Sequence, residues 1–547
     1  MSSKRALDPT IAQRLDDFIA LYFDEQACAA DLLCDRHAPS RLAFRIIDET
    51  LEANTLHYGD LKTKSEQFAA ALSELGVVPG DRVATLMGKS QDFLVVLLGI
   101  WRLGAVHVPL FTAFAPPAIS FRLIGSRSKI VVADAAQASK LNPSADMPAD
   151  GGWTMITRGE AGPGQYNLKA LISAQDAGYP AFKAGADAPL IEIYTSGTTG
   201  TPKGVIVPVK GLASFHAYME FGLDVRESDV FWCAADPGWA YGLYYAILGP
   251  LATGCDCVLL AAGFSPELTF GTMAKYGVTN FAAAPTVYRA LKASGIDIPK
   301  EIRLRVASSA GEPLTPDVNV WAEAELGVRV HDHYGQSETG MTVNNHHHRV
   351  LQQVVKTGSM GMSMPGWQAG ILKSDADEEA ATGDVGRLAI SLSDSPLAWF
   401  SGYSDNPEKT SEKFTPDKQW YVTGDVAFRD EDGFFHFSSR DDDVIIMAGY
   451  RIGPFEVEST LSKHPAVLES AAVARPDEVR GEVLEAFVRL NEAYSPSDAL
   501  TEELQNFVKQ NFAAHAFPRR IHYVDAMPKT PSGKIQRFIL RQRLIDL

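Results

Sequence analysis

One stretch of the chain carries anion-handling groups at unusually close spacing. In Ile193-Tyr194-Thr195-Ser196-Gly197-Thr198-Thr199-Gly200-Thr201-Pro202-Lys203-Gly204-Val205 an apolar run gives way to seven small hydroxyl or glycine residues, then a proline and a lysine. Glycines let backbone N–H groups approach an anion, hydroxyls add donors and the lysine adds charge, so the segment suits a polyphosphate. The spacing is not that of G-x-x-x-x-G-K-[ST], and no G-x-G-x-x-G occurs in the chain. Three other groupings are chemically weaker. His346-His347-His348 lacks the i, i+4 spacing of a helical zinc site and reads as a polar loop. Cys255-x-Cys257 has no second pair and adjoins an apolar run, which predicts core packing. Glu456–Glu458 and Asp441–Asp443 hold neighbouring carboxylates, for which solvated loop or helix acids suffice.

The elements that must position these groups alternate. Leu61, Phe68, Leu72 and Leu75 form one helical stripe ended by Gly76. Strands are expected at Arg82–Met87, Ile130–Ala133, Leu190–Tyr194, Asp229–Ala234, Cys257–Leu260, Asn280–Ala283 and Leu304–Ser308, with a buried helix at Phe93–Trp101. This order predicts an α/β fold of parallel-rich sheets covered by helices. Residues 134–188, rich in Ala, Gly, Asp and Pro, read mainly as surface connection. Near residue 440 the character changes: Tyr421–Arg429 and Phe434–Ser438 flank a DG turn as a hairpin. The following ~100 residues suit a small α+β domain with its own core. The expected division is 1–441 and 442–547.

Composition is ordinary for a globular chain of 547 residues, with 46% hydrophobic and 21% charged. Fifty basic against sixty-seven acidic residues leave a net charge of −17, which argues against a nucleic-acid or anionic-membrane partner. The apolar stretches Leu103–Phe121 and Pro237–Cys255 are broken by prolines and read as core or pocket wall, not membrane spans. Five cysteines without a CxxC pair and no apolar leader segment fit a cytoplasmic setting.

The first segment, YTSGTTGTPKGV, resembles the phosphate loop of the acyl-adenylate-forming (AMP-binding) superfamily of acyl-CoA synthetases, peptide-synthetase adenylation domains and luciferases. Further segments resemble that superfamily's motifs in the same order. They are Leu56–Leu61, Gly80–Ala84, Ser309–Leu314, His333–Gly340, Tyr421–Asp425, Arg440–Pro454 and Pro528–Ile535. The resemblance, to synthetases of the short/medium-chain type, implies a large N-terminal domain and a small mobile C-terminal domain. It also implies a reaction of a carboxylic acid with ATP and then CoA through an acyl-adenylate, with Mg²⁺. A stand-alone enzyme loading a carrier protein remains the alternative.

Site residues follow by resemblance. Thr195, Ser196, Gly197, Thr198, Thr199 and Lys203 would hold the β/γ-phosphates, and Ser337 would lie near the α-phosphate. Gly311, Glu312, Pro313, Asp332, Tyr334, Gly335 and Gln336 would line the adenine, with Tyr334 stacked on it. Asp425 would accept from the ribose hydroxyls, Arg440 would contact ribose or phosphate, and Glu338 would bind the metal. Lys534 would stabilise charge at the α-phosphate as the carboxylate attacks. Asp442 would be the hinge, Gly449, Tyr450 and Arg451 would help form the CoA tunnel, and Lys509 would reach the CoA 3′-phosphate. Trp239, Tyr241, Gly242 and Gly335 would form the acyl pocket. Glycine at 335, where acetate-specific relatives have tryptophan, implies open space and an acid longer than propionate. The three tyrosines 241, 244 and 245 favour a branched or aryl acid over a long straight chain, so the expected substrate is a medium-chain, branched or aromatic acid.

Overall fold

The computed structural model describes residues 7–195, 202–441, 443–447, 450–477, 481–513, 516–530 and 534–545. Four sheets organise them. A nine-stranded sheet runs Met362–Ser363, Gly340–Asn344, Val330–Gln336, Val306–Ala310, Asn280–Ala283, Val230–Cys233, Asp256–Leu260, Leu42–Ile47, Ala53–His57. Its central strands are parallel and only its margins antiparallel. A seven-stranded sheet runs Tyr166–Asn167, Thr154–Arg158, Ile130–Asp134, Arg82–Leu86, Val106–Pro109, Pro189–Thr195, Lys203–Pro208, parallel except for the last pair. The parallel strands need crossovers, and helices supply them. Gln91–Arg102 is one: Ser90 caps it by accepting from the Phe93 N–H at 3.1 Å, and every residue from Phe93 to Arg102 is buried. So apolar a helix cannot face water on any side, and it lies in the main core.

The surface connection expected over 134–188 is corrected in part. Thr154–Arg158 pairs in register with Ile130–Asp134, Tyr166–Asn167 extends the sheet, and Ile156 is fully buried. The strand is short and flanked by turn formers, so composition averaged over the segment conceals it. Pro237–Cys255 forms three consecutive helical segments, Ala240–Gly242, Leu243–Leu248 and Gly249–Thr253, with Leu243–Ala252 buried. Among the described residues no helix is long and apolar enough to cross a membrane.

An antiparallel sheet of Ala369–Leu372, Gly386–Ser391, Trp420–Arg429 and Phe435–Arg440 contains the expected hairpin, with Gly433 at φ +90° in its turn. Beyond residue 443 a separate sheet is built on the long pair Val467–Asp477 and Gly481–Leu490. Ile445–Met447, Tyr450–Ile452 and Arg520–Tyr523 complete it. This part has its own core, including Val457, Leu461, Leu484 and Leu504. Its acids are not free in solvent as expected: Glu458 takes both an Arg537 fork at 2.7 and 2.8 Å and the Ala472 N–H. Asp443 pairs with Arg541 at 2.7 Å. All five cysteines are buried and unpaired. Burial pushes Cys34, Cys233 and Cys255 up to about 12, and raises Cys28 and Cys257 as well.

Candidate active site

Two parallel strands end side by side at the centre of the nine-stranded sheet. Val306–Ala310 and Val330–Gln336 are in register from Ala307–Val330 to Ala310–His333, so Gly311–Pro313 emerges beside Asp332–Gly335. The carboxyl ends of such strands are where α/β sheets take ligands. Gly311 turns at φ +100°, a conformation that favours glycine. Arg289 holds one oxygen of Glu312 at 2.8 Å, while the other, Oε1, is buried with no partner among the described residues. That orphan acceptor suits a ligand amino group. Asp332 accepts from the Leu314 N–H at 3.2 Å; burial pushes it up to about 8, and Glu312 adds to the rise.

Asp425, 3% exposed, is the hub opposite. It sits across from Arg440 in the hairpin and pairs with it at 3.3 Å. Its Oδ2 accepts from the Tyr334 hydroxyl and from Gln336 Nε2 at 2.7 Å. The Tyr334 ring is thereby fixed at the edge of the site. Gln336 Nε2 also donates to the Thr423 carbonyl, and its Oε1 accepts from Tyr421. Its amide thus holds the Tyr421–Asp425 strand in place.

On the phosphate side Thr195 and Lys203 face each other across the antiparallel pair that brackets the glycine-rich segment. Ser196, Gly197, Thr198 and Thr199 lie outside the described residues. Glu338, 8% exposed, accepts from the Tyr403 hydroxyl at 2.8 Å through Oε1. Lys203 Nζ lies 5.2 Å from the centre of the same tyrosine ring, a cation–π distance. Tyr403 therefore joins the two motifs, and sequence reasoning missed it because it stands alone in Phe400–Asp405 without a motif around it. Lys413 was missed for the same reason: it donates to the Thr423 carbonyl at 2.8 Å, and burial lowers its pKa despite Glu338 and Asp425 nearby. A single hard carboxylate with one oxygen not taken by Tyr403 fits Mg²⁺, which keeps most of its ligands as water and phosphate oxygens.

Lys534 reaches this group from the C-terminal part. Its backbone N–H donates to Thr530 Oγ1 at 3.1 Å and its carbonyl accepts from the Thr530 N–H at 2.8 Å, closing a tight loop. The side chain keeps solvent access, yet lies within electrostatic range of Arg440, Glu312, Asp425 and Glu338. The surrounding protein, then Arg440, lowers its pKa; the three carboxylates oppose that shift. Ser337 lends its carbonyl to the Tyr244 hydroxyl at 2.9 Å.

Trp239 packs on Phe111 and Phe114, with ring centres 5.1 and 5.5 Å apart, and Tyr241 follows it half-buried. Gly335 does not leave open space. A Cβ there would lie 2.1 Å from the Gly340 carbonyl oxygen and 2.6 Å from Met341 Cα. The glycine is required by the close approach of the adjoining strand at a register shift, and so it does not measure the acid's length. Gly242 is similar: a Cβ would meet the Asp236 carbonyl at 2.1 Å. Gly335→Ala is accordingly expected to lower stability by about 1–3 kcal/mol through overpacking, without changing which acid is preferred. Thermal melts together with a two-acid competition check both halves.

His346 and His347 are buried, contrary to a polar loop, because they follow the fully buried strand Gly340–Asn344 into the core. His331, His333 and His347 bring ring nitrogens within 4.8 Å. Both nitrogens of His333 are already bonded, to Tyr218 and Asn345, and the His331 and His347 rings stack at 3.7 Å. The two remaining lone pairs lie in near-parallel planes, so the trio does not present a chelate. Asp442 and Gly449 lie outside the described residues. Tyr450 and Arg451 fall on a strand paired with Ile445–Met447. Lys509 rests 4.1 Å over the Phe517 ring and donates to Asn506, contacts made entirely within the C-terminal part.

A two-part chain whose strand ends, carboxylate hub and delivered lysine converge in this way is an adenylate-forming enzyme. Residues 34–403 match the family model of the AMP-binding enzyme and residues 456–534 that of the AMP-binding enzyme C-terminal domain, and the chain belongs to this family. It is 37% identical over 508 residues to the acetyl-coenzyme A synthetase of Bacillus subtilis strain 168, covering 90% of this chain and 85% of the relative. The crystal structure of a Brucella canis acyl-CoA synthetase is 41% identical, with a TM-score of 0.75 and 97% of both chains covered. A benzoate CoA ligase from Burkholderia xenovorans LB400 is 29% identical, with a TM-score of 0.82, covering 94% of this chain and 100% of that one. The protein is thus an AMP-forming ligase of the acyl-CoA synthetase type.

Proposed function

We propose that the protein joins a compact carboxylic acid, aryl or branched, to CoA through an acyl-adenylate. The acid's oxygen attacks the α-phosphorus of ATP and pyrophosphate leaves; the CoA thiol then attacks the acyl carbon and AMP leaves. The observation that carries the reading is the convergence of Lys534, Glu338 and Asp425 from three elements far apart in sequence. Lys534 would neutralise charge on the α-phosphate and the attacking carboxylate together. Asp425 would orient the ribose, and the Glu312 orphan oxygen would meet the adenine amino group. Lys203, steadied by Tyr403, would sit on the outer phosphates. When bound, Mg²⁺ at Glu338 would offset the charge of the leaving pyrophosphate. The aromatic wall of Trp239, Phe111 and Phe114 supports a flat or branched acid over a long chain.

Purified protein given ATP, Mg²⁺ and CoA is expected to release AMP with at least one of acetate, butyrate, isobutyrate, octanoate and benzoate, and to need no partner protein. Acyl-AMP that persists until a carrier protein is added would instead establish a loader.

A further inference from the structure

A run of buried polar groups leads from Asn345 through His333 and Tyr218 to Tyr241, and its proton positions are determined. The Asn345 carbonyl accepts from His333 Nε2 at 3.0 Å and from His331 Nδ1 at 2.7 Å. A carbonyl carries no proton, so Nε2 of His333 must hold one. His333 is 2% exposed, and burial beside His331 and His346 keeps its ring neutral. Its Nδ1 is therefore a bare lone pair, and the Tyr218 hydroxyl at 2.7 Å must donate to it. With that proton committed, the 3.2 Å contact between the Tyr218 and Tyr241 hydroxyls can be bridged only by the proton of Tyr241. Tyr241 is left with lone pairs alone.

Tyr218 is fully buried, whereas Tyr241 keeps exposed surface two residues beyond Trp239. The relay thus ends, at its partly exposed member, in an acceptor. We propose that Tyr241 is the specificity-determining end of the acyl site and selects acids bearing a hydrogen-bond donor, a hydroxyl or amino group, remote from the carboxylate. The inference rests on the acyl-CoA ligase reading above and names its substrate class.

The test uses the full-length protein and CoA-dependent AMP release with benzoate, its three monohydroxy isomers and the three matching methoxy isomers. A methoxy group keeps the oxygen and removes the donor. The wild type is expected to favour at least one hydroxybenzoate over its methoxy isomer by about tenfold or more in kcat/KM, since a site built around a hydrogen bond discriminates strongly against an analogue that cannot make it. Tyr241→Phe should bring that ratio toward one. Tyr218→Phe should free the Tyr241 proton to point into the site, so the ratio should turn in favour of the methoxy isomer. A purely structural role would not stop the ratio near one in Tyr241→Phe and carry it past one in Tyr218→Phe. Methoxy isomers that match or exceed every hydroxy isomer in the wild type, or a ratio unchanged in Tyr241→Phe, would overturn the inference alone. No AMP release from any of these acids or from acetate, butyrate and octanoate would overturn the ligase reading and the inference with it. Should Tyr218→Phe fail to fold, the wild-type ratio and its change in Tyr241→Phe still decide.

Discussion

Lys534→Ala is expected to abolish acyl-AMP formation from acid and ATP while sparing the step from preformed acyl-AMP and CoA to thioester. In the structure Lys534 lies within electrostatic range of Arg440, Glu312, Asp425 and Glu338, the groups proposed to surround the nucleotide. Two anions must meet for the carboxylate to attack the α-phosphorus, and removing one preorganised charge contact typically costs ~10²–10³ in rate. Pyrophosphate release reads the first step and thioester formation from acyl-AMP reads the second; equal slowing of both would sink the assignment. The pH profile gives an independent check. The lysine must be protonated to act, and its surroundings lower its pKa from the ordinary value of about 10.4. Adenylation should therefore decline as pH rises, with a midpoint below the usual lysine range. The alkaline limb should vanish in the residual activity of the alanine variant.

Asp425→Ala is expected to be nearly as damaging, and for two reasons. The substitution strands the Tyr334 hydroxyl, takes one of the two acceptors of Gln336 Nε2 and breaks the Arg440 ion pair, all directed at one buried carboxylate. Donors left unsatisfied in this way cost about 1–3 kcal/mol each at most, so the melting temperature should fall. The same change removes the acceptor proposed for the ribose. One or two charge-assisted hydrogen bonds correspond to roughly 10–100-fold in kcat/KM for ATP. Thermal melts with and without ATP separate these effects: the loss in the free protein measures the network, and the further loss of ATP-induced stabilisation measures the nucleotide contact. An unchanged KM for ATP would remove Asp425 from the binding site.

Much of the framework was legible because its signals are local. The strand Asn280–Ala283 appears where its apolar run lies, and the Asp430–Gly433 turn marks its hairpin. The motif residues Asp425 and Glu338 lie within electrostatic range of Lys534. What could not be read depends on contacts between distant segments. Tyr403 becomes part of the site only because the 400s lie against the strand after the phosphate loop, with Ser404 N–H on the Gly204 carbonyl at 2.7 Å. Gly335 looks like vacant volume in one dimension, and only the path of Gly340–Met341 reveals that backbone fills it. The histidine run reads as polar by type, yet the direction of the preceding strand buries it.

The cysteines bear on the chemistry although none of them touches it. An enzyme that handles CoA meets oxidised CoA as well, and a disulfide exchanges only with a thiolate it can reach. With every cysteine of this chain buried and its acidity suppressed, the folded protein offers no such thiolate. Oxidised CoA would thus find no partner for exchange on the folded chain, and mixed disulfides with CoA should form only once the chain unfolds.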